Sequence, residues 1–484
     1  MAASPSRAHI GRSSMWSLVN TLSAQGLNLA VFLVTARFVA PEAFGILAAA
    51  VLVNELFRVI VVEPVLTAVT TRPNPTDADY TTCFWVIALC SMIGAALISM
   101  AAPLLGEAMG HPGLAETVQL TAALVLTSGF ARTHETRLSR SYRFRALAIR
   151  SLASIILGGI VGIALAINGF GLWSLVAQQL VTSITSLIFL WTVSTWRPGS
   201  IVSRRIARDI WRYARHVSLT GMTNYVNQQS DTFFAMTYLG PSATGFYSAA
   251  KRITGALNTA VGTSLNKVAL PLFAATKRDP ARQSAGFLAA VRLTSVITAP
   301  VFATLAVLSP EITTLLFDSE WITAAPLIAI LCIPAFLGTI GQYNHSIMLA
   351  MDKPHWQTIL TGIYAVSNVT LFVIVSHHGI IALALAFSLR SLLLYPLSVG
   401  PALHLLRIRW VTYFRTVAPA LVASAVAAGV MIYVGPLIHV RNPVLNLIVV
   451  SGCGGGAYVM TIWIVAADSC RELLGLIKNL KRND

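Results

Sequence analysis

Hydrophobic and polar positions along this 484-residue chain separate into apolar stretches divided by short polar connectors. A bilayer crossing needs roughly 20 apolar residues, and by that measure about 14 stretches qualify. They run over 14–38, 44–69, 80–102, 114–136, 151–167, 172–196, 215–238, 244–272, 285–317, 322–351, 357–376, 380–403, 414–434 and 444–466. Each predicts a helix, because a spanning segment must satisfy its own backbone N–H and C=O groups in lipid. The expected fold is therefore all-α: a polytopic membrane protein with about 14 transmembrane helices. Several stretches contain polar residues, which neighbouring helices must cover.

A short phrase recurs within this pattern. Phe38-Val39-Ala40-Pro41-Glu42-Ala43-Phe44-Gly45-Ile46 aligns with Tyr238-Leu239-Gly240-Pro241-Ser242-Ala243-Thr244-Gly245-Phe246, and the shared Pro, Ala and Gly lie 200 positions apart. Asn168-Gly169-Phe170-Gly171-Leu172 has an echo in His378-Gly379-Ile380-Ile381-Ala382, at an offset of 210. Duplicated helical hairpins in a hydrophobic chain mark transporters whose substrate site sits between related halves. The repeat predicts two pseudo-symmetric six-helix lobes, 1–200 and 201–410, and an extra helix pair with a basic tail over 411–484. Proline suits the first turn of a helix, and a nearby glycine lets helices approach closely. Each copy thus reads as a tight turn between two crossing helices. The Arg-rich 197–215 connector, with Trp211 and Tyr213, reads as the inter-lobe hinge, lying amphipathically along the cytoplasmic surface.

Composition settles the class. The chain is 56% hydrophobic and 11% charged, with mean hydropathy +0.72, against roughly 25% charged residues in a soluble globular protein. There is too little polar surface for a water-soluble body of this size. The net charge of +16 is distributed by connector. Arg7 and Arg12 lie in the N-terminal tail. The even-numbered connectors carry Arg72; Arg137, Arg140, Arg143, Arg145 and Arg150; Arg197, Arg204, Arg205, Arg208, Arg212 and Arg215; Lys277, Arg278 and Arg282; Lys353; and Arg407, Arg409 and Arg415. Arg471, Lys478, Lys481 and Arg482 follow in the C-terminal tail, whereas the odd-numbered connectors hold only Arg441, with Arg37 at the edge of one. Basic connectors stay in the cytoplasm, which predicts cytoplasmic termini. The surplus is then mostly topological, with some attraction to anionic lipid. No aromatic-basic motif accompanies it, so nucleic-acid binding is not expected.

The five cysteines show no CxxC or Cys/His spacing and read as small packing residues, so no metal site is expected. No compact apolar stretch with a cleavage site follows the polar N-terminus. The chain offers no nucleophile motif and no glycine-rich phosphate cradle; Gly452-Cys453-Gly454-Gly455-Gly456 sits where glycines serve helix packing. Neither catalysis nor a cofactor is expected.

Polar residues at membrane depth are costly and mark candidate sites. The 215–238 stretch is densest: Asn224, Asn227, Gln228 and Asp231 follow i, i+3, i+4, i+7 and share one face. That face either lines a wet cavity or bonds to neighbouring helices. Asn28, in the first stretch beside Asn20 and Gln25, stands 200 positions before Gln228, so both lobes offer a polar wall. Cations occur at depth too: Arg58, Lys251, Arg252, Arg292 and Arg390. Guanidinium forks match phosphate oxygens, and so many cations with few acids favour a cavity for an anionic, phosphate-bearing substrate. The alternative for each is internal pairing: Glu55 is three residues before Arg58, and Asp231 and Lys251 sit at similar depth. Gln342, Asn344 and His345 either line the cavity or cap a kink. His377 and His378 read as a solvated turn, and Glu63-Pro64 as a bend.

Asn227-Gln228-Gln229-Ser230-Asp231, then Tyr238-Leu239-Gly240-Pro241 and Gly245-Phe246-Tyr247-Ser248-Ala249-Ala250-Lys251-Arg252, resemble the Wzx-type oligosaccharide flippases of the multidrug/oligosaccharidyl-lipid/polysaccharide exporter superfamily. Ala36-Arg37-Phe38-Val39-Ala40-Pro41-Glu42-Ala43-Phe44-Gly45, Arg140-Ser141-Tyr142-Arg143-Phe144-Arg145 and Gly169-Phe170-Gly171-Leu172-Trp173-Ser174 extend the resemblance over roughly 14–410. The chain departs from the pattern at Glu63-Pro64, where family members often carry glycine. The resemblance implies two six-helix lobes around a central cavity. It also implies transfer of an undecaprenyl-diphosphate-linked oligosaccharide to the periplasmic leaflet by alternating access, for O-antigen, capsule or exopolysaccharide synthesis. Under it, Arg58, Lys251, Arg252 and Arg390 are positions to grip the diphosphate, Asn28, Asn224, Asn227 and Gln228 line the cavity, and Asp231 is the coupling acid. Expected partners are the lipid-linked oligosaccharide, the bilayer, and polysaccharide polymerase and chain-length proteins. The rivals are a lipid II flippase; a drug/cation antiporter, which would favour cavity acids over cations; and a membrane polymerase or ligase, which would need a catalytic loop outside the membrane.

Overall fold

The structure, a computed structural model, describes residues 7–263, 273, 279–438 and 442–465. Cys470 and the basic positions Lys277, Arg278, Arg441, Arg471, Lys478, Lys481 and Arg482 lie outside the described residues. Every regular element described is helical. In chain order these are α1 (Arg7–Thr35), α2 (Pro41–Thr70), α3 (Asp77–Ala108), α4 (Pro112–Arg140), α5 (Phe144–Ile167) and α6 (Leu172–Val193). A long run over Arg204–Asn258 bends at Gly240 and so forms α7 (204–239) and α8 (241–258). Then come α9 (Pro280–Val307), the short α10 (Ser309–Leu316), α11 (Ala324–Ala350), α12 (Pro354–Val375), α13 (Ile380–Leu406), α14 (Trp410–Val434) and α15 (Pro443–Val465). Eleven of them (α2–α6, α9 and α11–α15) are long and apolar enough to cross a membrane. With α1, α7 and α8 on the remaining expected stretches, the chain is a polytopic, multi-pass helical membrane protein.

The apolar content is spent on two surfaces. Some faces pack helix against helix, while others are exposed and still apolar, as at Met100 (76% exposed) on α3 and Ile464 (75%) on α15. In a soluble protein an outward ring of such residues would be an aggregation surface; in a bilayer it meets acyl chains.

Contacts divide the chain into two compact units: Met1–Ser248 with Thr361–Leu383, and Ala249–Leu360 with Ala384–Asp484. In the first unit, Val69, Cys83, Phe84, Ile87 and Ile210 form a core near one end. The basic connectors gather at that end. Arg140 donates to the carbonyls of Thr70, Arg72 and Pro73; Arg143 donates to Val193 O; and Arg72 pairs with Asp79 and approaches Asp209. Thr76 and Asp79 close a capping box over the start of α3, which fixes where that helix begins.

The duplicated phrase also resolves within this unit: its two copies pack against each other. A Cβ on Gly45 would lie 1.8 Å from the Pro241 carbonyl oxygen, and one on Gly245 would lie 1.9 Å from that of Pro41. Each glycine is required by the other copy's backbone. Gly240, at φ 84°, supplies the left-handed turn between α7 and α8.

In the second unit α9 lies against α14, and α14 against α15. Ala423 and Ala427 meet Tyr458 and Ile462 there, and the Tyr458 hydroxyl donates to Val296 O at 2.7 Å. Gly454 clears the Met431 side chain, as expected of the glycine run, whereas Gly452, Gly455 and Gly456 have open space beside them.

Candidate functional site

Arg58 lies two-thirds of the way along α2, where the helix widens into a π turn over Arg58–Val62. The cause is local. Pro64 has no N–H, so a carbonyl one turn earlier loses its donor. Ser218 of α7 supplies one instead, its Oγ donating to Ile60 O at 2.6 Å. Tyr225 of α7 likewise donates to Leu52 O at 2.5 Å, and Gly221 sits against Val59. The expected bend at Glu63-Pro64 is thus a π turn braced by α7.

This turn decides what Arg58 touches. Its guanidinium holds Glu55 at 2.6 Å and Glu63 at 2.5 Å. Glu55 is a helical i, i+3 neighbour. Glu63 is five positions away and comes onto the same face because the π turn bonds Glu63 N–H to Arg58 O. In this structure Arg58 is therefore shared by two carboxylates.

Beside it, α2, α4, α5 and α6 line an open cavity of about 310 Å³, with Asn54, Glu55, Arg58, Arg132, Glu135 and Arg150 among its walls. Arg132 and Arg150 both pair with Glu135, at 3.3 and 3.1 Å, and Arg150 donates to Ser186 Oγ at 3.2 Å. Counting Glu63, three arginines balance three glutamates, an arrangement that holds charged groups at membrane depth with no net charge. Asn54 is 6% exposed, and its Oδ1 has no donor among the described residues. Sequence reasoning missed Arg132 and Glu135, although an i, i+3 charged pair inside the 114–136 stretch was there to be read.

The polar face of α7 is partly engaged. Asp231 is buried and accepts from the Tyr247 hydroxyl at 2.9 Å and from Thr232 N–H at 2.7 Å. Asn227 receives the Asn368 amide at 2.8 Å on both its backbone and side-chain oxygens. Asn224 is half-buried and Gln228 exposed, and on α1 Asn28 is exposed. Tyr247 and Asn368 are partners that spacing within one helix could not reveal. Tyr238 stacks edge-on with His377, ring centroids 4.5 Å apart, so that turn packs on aromatic surface.

In the second unit Lys251 is half-buried and Arg252 exposed on α8. Arg390 on α13 is half-buried, its guanidinium 5.8 Å from the Phe387 ring centre. Arg292 on α9 is half-buried. Gln342 donates to Asn258 Oδ1 at 3.0 Å, Asn344 donates to Ser398 Oγ at 3.3 Å, and His345 is exposed. Among the described residues no group of three or more His, Cys, Asp or Glu could hold a metal.

Residues 34–326 match the family described as "Polysaccharide biosynthesis protein", a stretch longer than half the chain. The chain belongs to that family. Among curated relatives, it is 27% identical over 325 residues to the succinoglycan biosynthesis transport protein ExoT of Rhizobium meliloti (strain 1021), spanning 67% of this chain and 66%, just under two thirds, of that one. It is 18% identical over 344 residues to the lipopolysaccharide biosynthesis protein WzxC of Escherichia coli (strain K12), covering 70% and 69% of the two chains. Among solved structures, the lipid II flippase MurJ in an inward closed conformation superposes with TM-score 0.77 at 15% identity, over 94% of this chain and 99% of that one. At that identity the likeness shows the fold. The chain is thus a multi-pass membrane protein of the polysaccharide biosynthesis family, with the fold of the flippase on which it superposes.

Proposed function

We propose that this protein moves undecaprenyl-diphosphate-linked oligosaccharide repeat units from the cytoplasmic to the periplasmic leaflet of a bacterial inner membrane, by alternating access, for a surface polysaccharide. One observation carries the reading: a polysaccharide-biosynthesis family chain is built mainly of helices long and apolar enough to span a membrane, with cations at membrane depth. The names of the relatives ExoT, a transport protein, and WzxC support it. In this reading Lys251, Arg252 and Arg390 hold the diphosphate, and Arg58 joins them by exchanging Glu55 and Glu63 for phosphate oxygens. Fork geometry favours such an exchange, because a guanidinium pairs bidentately with either anion. Asn28, Asn224, Asn227 and Gln228 hydrogen-bond sugar hydroxyls, and Asp231 is the coupling acid. The lobes are 1–200 and 201–410, the helix pair is 411–484, both termini face the cytoplasm, and the exported unit passes to polymerase and chain-length proteins.

The test is genetic and chemical. Deletion should accumulate lipid-linked repeat units and abolish the surface polysaccharide. Arg252→Ala and Arg390→Ala should do the same with unchanged protein in the membrane. Wild-type polysaccharide in the deletion strain would end the transport reading; wild-type polysaccharide in both variants would end only the assignment of the diphosphate grip.

A further inference from the structure

The first three turns of α7 form an amphipathic helix with one face committed. Ile210 (1% exposed) and Ala214 are buried in the first unit's core, with Ile206 packed against it. This fastens residues 204–215 to the body of the protein. The opposite face is exposed along its whole length: Arg204, Arg205, Arg208, Arg212 and Arg215, with Trp211 (71% exposed) and Tyr213 between them. Just before the helix, Ile201 and Val202 are exposed as well.

These arginines are not structural in the way their neighbours are. Arg72, Arg140, Arg143 and Arg197 spend their guanidinium groups on carboxylates or carbonyls at the ends of neighbouring helices and in the connectors between them. Among the described residues Arg204, Arg205, Arg208 and Arg212 make no ion pair or hydrogen bond, and the one acid in the stretch, Asp209, is turned toward Arg72 at 4.0 Å. Among the described residues the Arg215 guanidinium donates only to the next residue, His216. The helix also stands at the membrane boundary, since α6 ends at Val193 and the apolar stretch of α7 starts near 215. Arginines with tryptophan and aliphatic side chains on one face are what an interfacial helix presents to headgroups and upper acyl chains.

We infer that the outward face of 204–215 is a binding surface for anionic phospholipid of the bilayer. Charge spacing selects that occupant over the diphosphate of a single lipid-linked substrate. From Arg204 to Arg215 the guanidinium row covers about 16 Å at helical rise, too long for one diphosphate but matched to several neighbouring headgroups. Trp211 anchors the helix at headgroup depth, and the buried Ile210–Ala214 face passes that anchoring to the core of the first unit. The proposed transport residues all lie outside 204–215 in the chain, and this surface does not depend on their assignment.

Native mass spectrometry of the full chain released from nanodiscs of mixed phosphatidylglycerol and phosphatidylcholine tests this. Each arginine at an anionic surface is worth about fivefold in affinity. The triple variant R204Q/R208Q/R212Q should therefore retain phosphatidylglycerol on the order of a hundredfold more weakly, while R204K/R208K/R212K retains it like the wild type. The lysine variant separates charge from folding. The inference is overturned if the glutamine variant keeps its phosphatidylglycerol, if the wild type retains phosphatidylcholine equally well, or if undecaprenyl diphosphate displaces phosphatidylglycerol one for one, which would make the face a substrate dock.

Discussion

At the scale of single residues, Arg58 shows how a backbone irregularity chooses a side chain's partners. In an unbroken α-helix, positions 58 and 63 point well apart and only the Glu55 pair would form. Pro64 removes a donor, the helix widens by one residue, and Glu63 rotates beneath Arg58. The freed Ile60 carbonyl is then held by Ser218. Leaving such a carbonyl without a donor in the membrane should cost about 1–2 kcal/mol. Ser218→Ala should accordingly lower the melting temperature of the purified protein, and Pro64→Ala, which restores an N–H, should make the same substitution nearly silent. Additive effects in that double-mutant cycle would remove Ser218 from this role. Glu55 was legible as a partner of Arg58 from spacing alone. Glu63 was not, because its approach depends on a π turn braced by a helix some 160 positions later in the chain.

Between elements, the repeated Pro-x-Ala-x-Gly phrase has a double use. Each proline starts its helix, at Pro41 for α2 and Pro241 for α8, and each carbonyl is where the other copy's glycine comes closest. Backbone meets backbone, so neither side can yield by changing a rotamer. Overpacking usually costs about 1–3 kcal/mol, and more where nothing can move. Gly45→Ala and Gly245→Ala should each sharply reduce the monodisperse fraction recovered on size-exclusion chromatography. Gly255→Ala on α8, with nothing within 4 Å of its added Cβ, should leave recovery unchanged. Equal recovery of all three would show that the copies do not interlock. The phrase and its duplication were plain in the sequence, and close helix approach was the reading given to its glycine. That each copy is the other's neighbour was not legible, because periodicity describes one helix at a time.

For the molecule as a whole, connector charge predicts orientation. The basic connectors at 70–76, 141–143 and 194–203 meet at one end of the first unit through Arg140, Arg143 and Arg72, as connectors on one side of a bilayer would. With cytoplasmic termini, Asp318→Cys should react with a membrane-impermeant maleimide in intact spheroplasts, and Asp352→Cys only after permeabilisation. The reverse pattern would invert the topology. Hydropathy and charge placed by connector were enough to establish the class and the approximate helix count, because in lipid a spanning segment satisfies its backbone alone. The boundaries were less legible, since the expected 285–317 stretch breaks into α9 and α10 and α7 begins at Arg204. Which polar group meets which was decided only by tertiary structure. Asp231 finds Tyr247, Asn227 finds Asn368, and Arg132 and Arg150 converge on Glu135. Such pairings depend on the rotation of one helix against another, and a single helix's sequence constrains that rotation only through which face is apolar, here obscured because lipid and protein core both accept apolar faces.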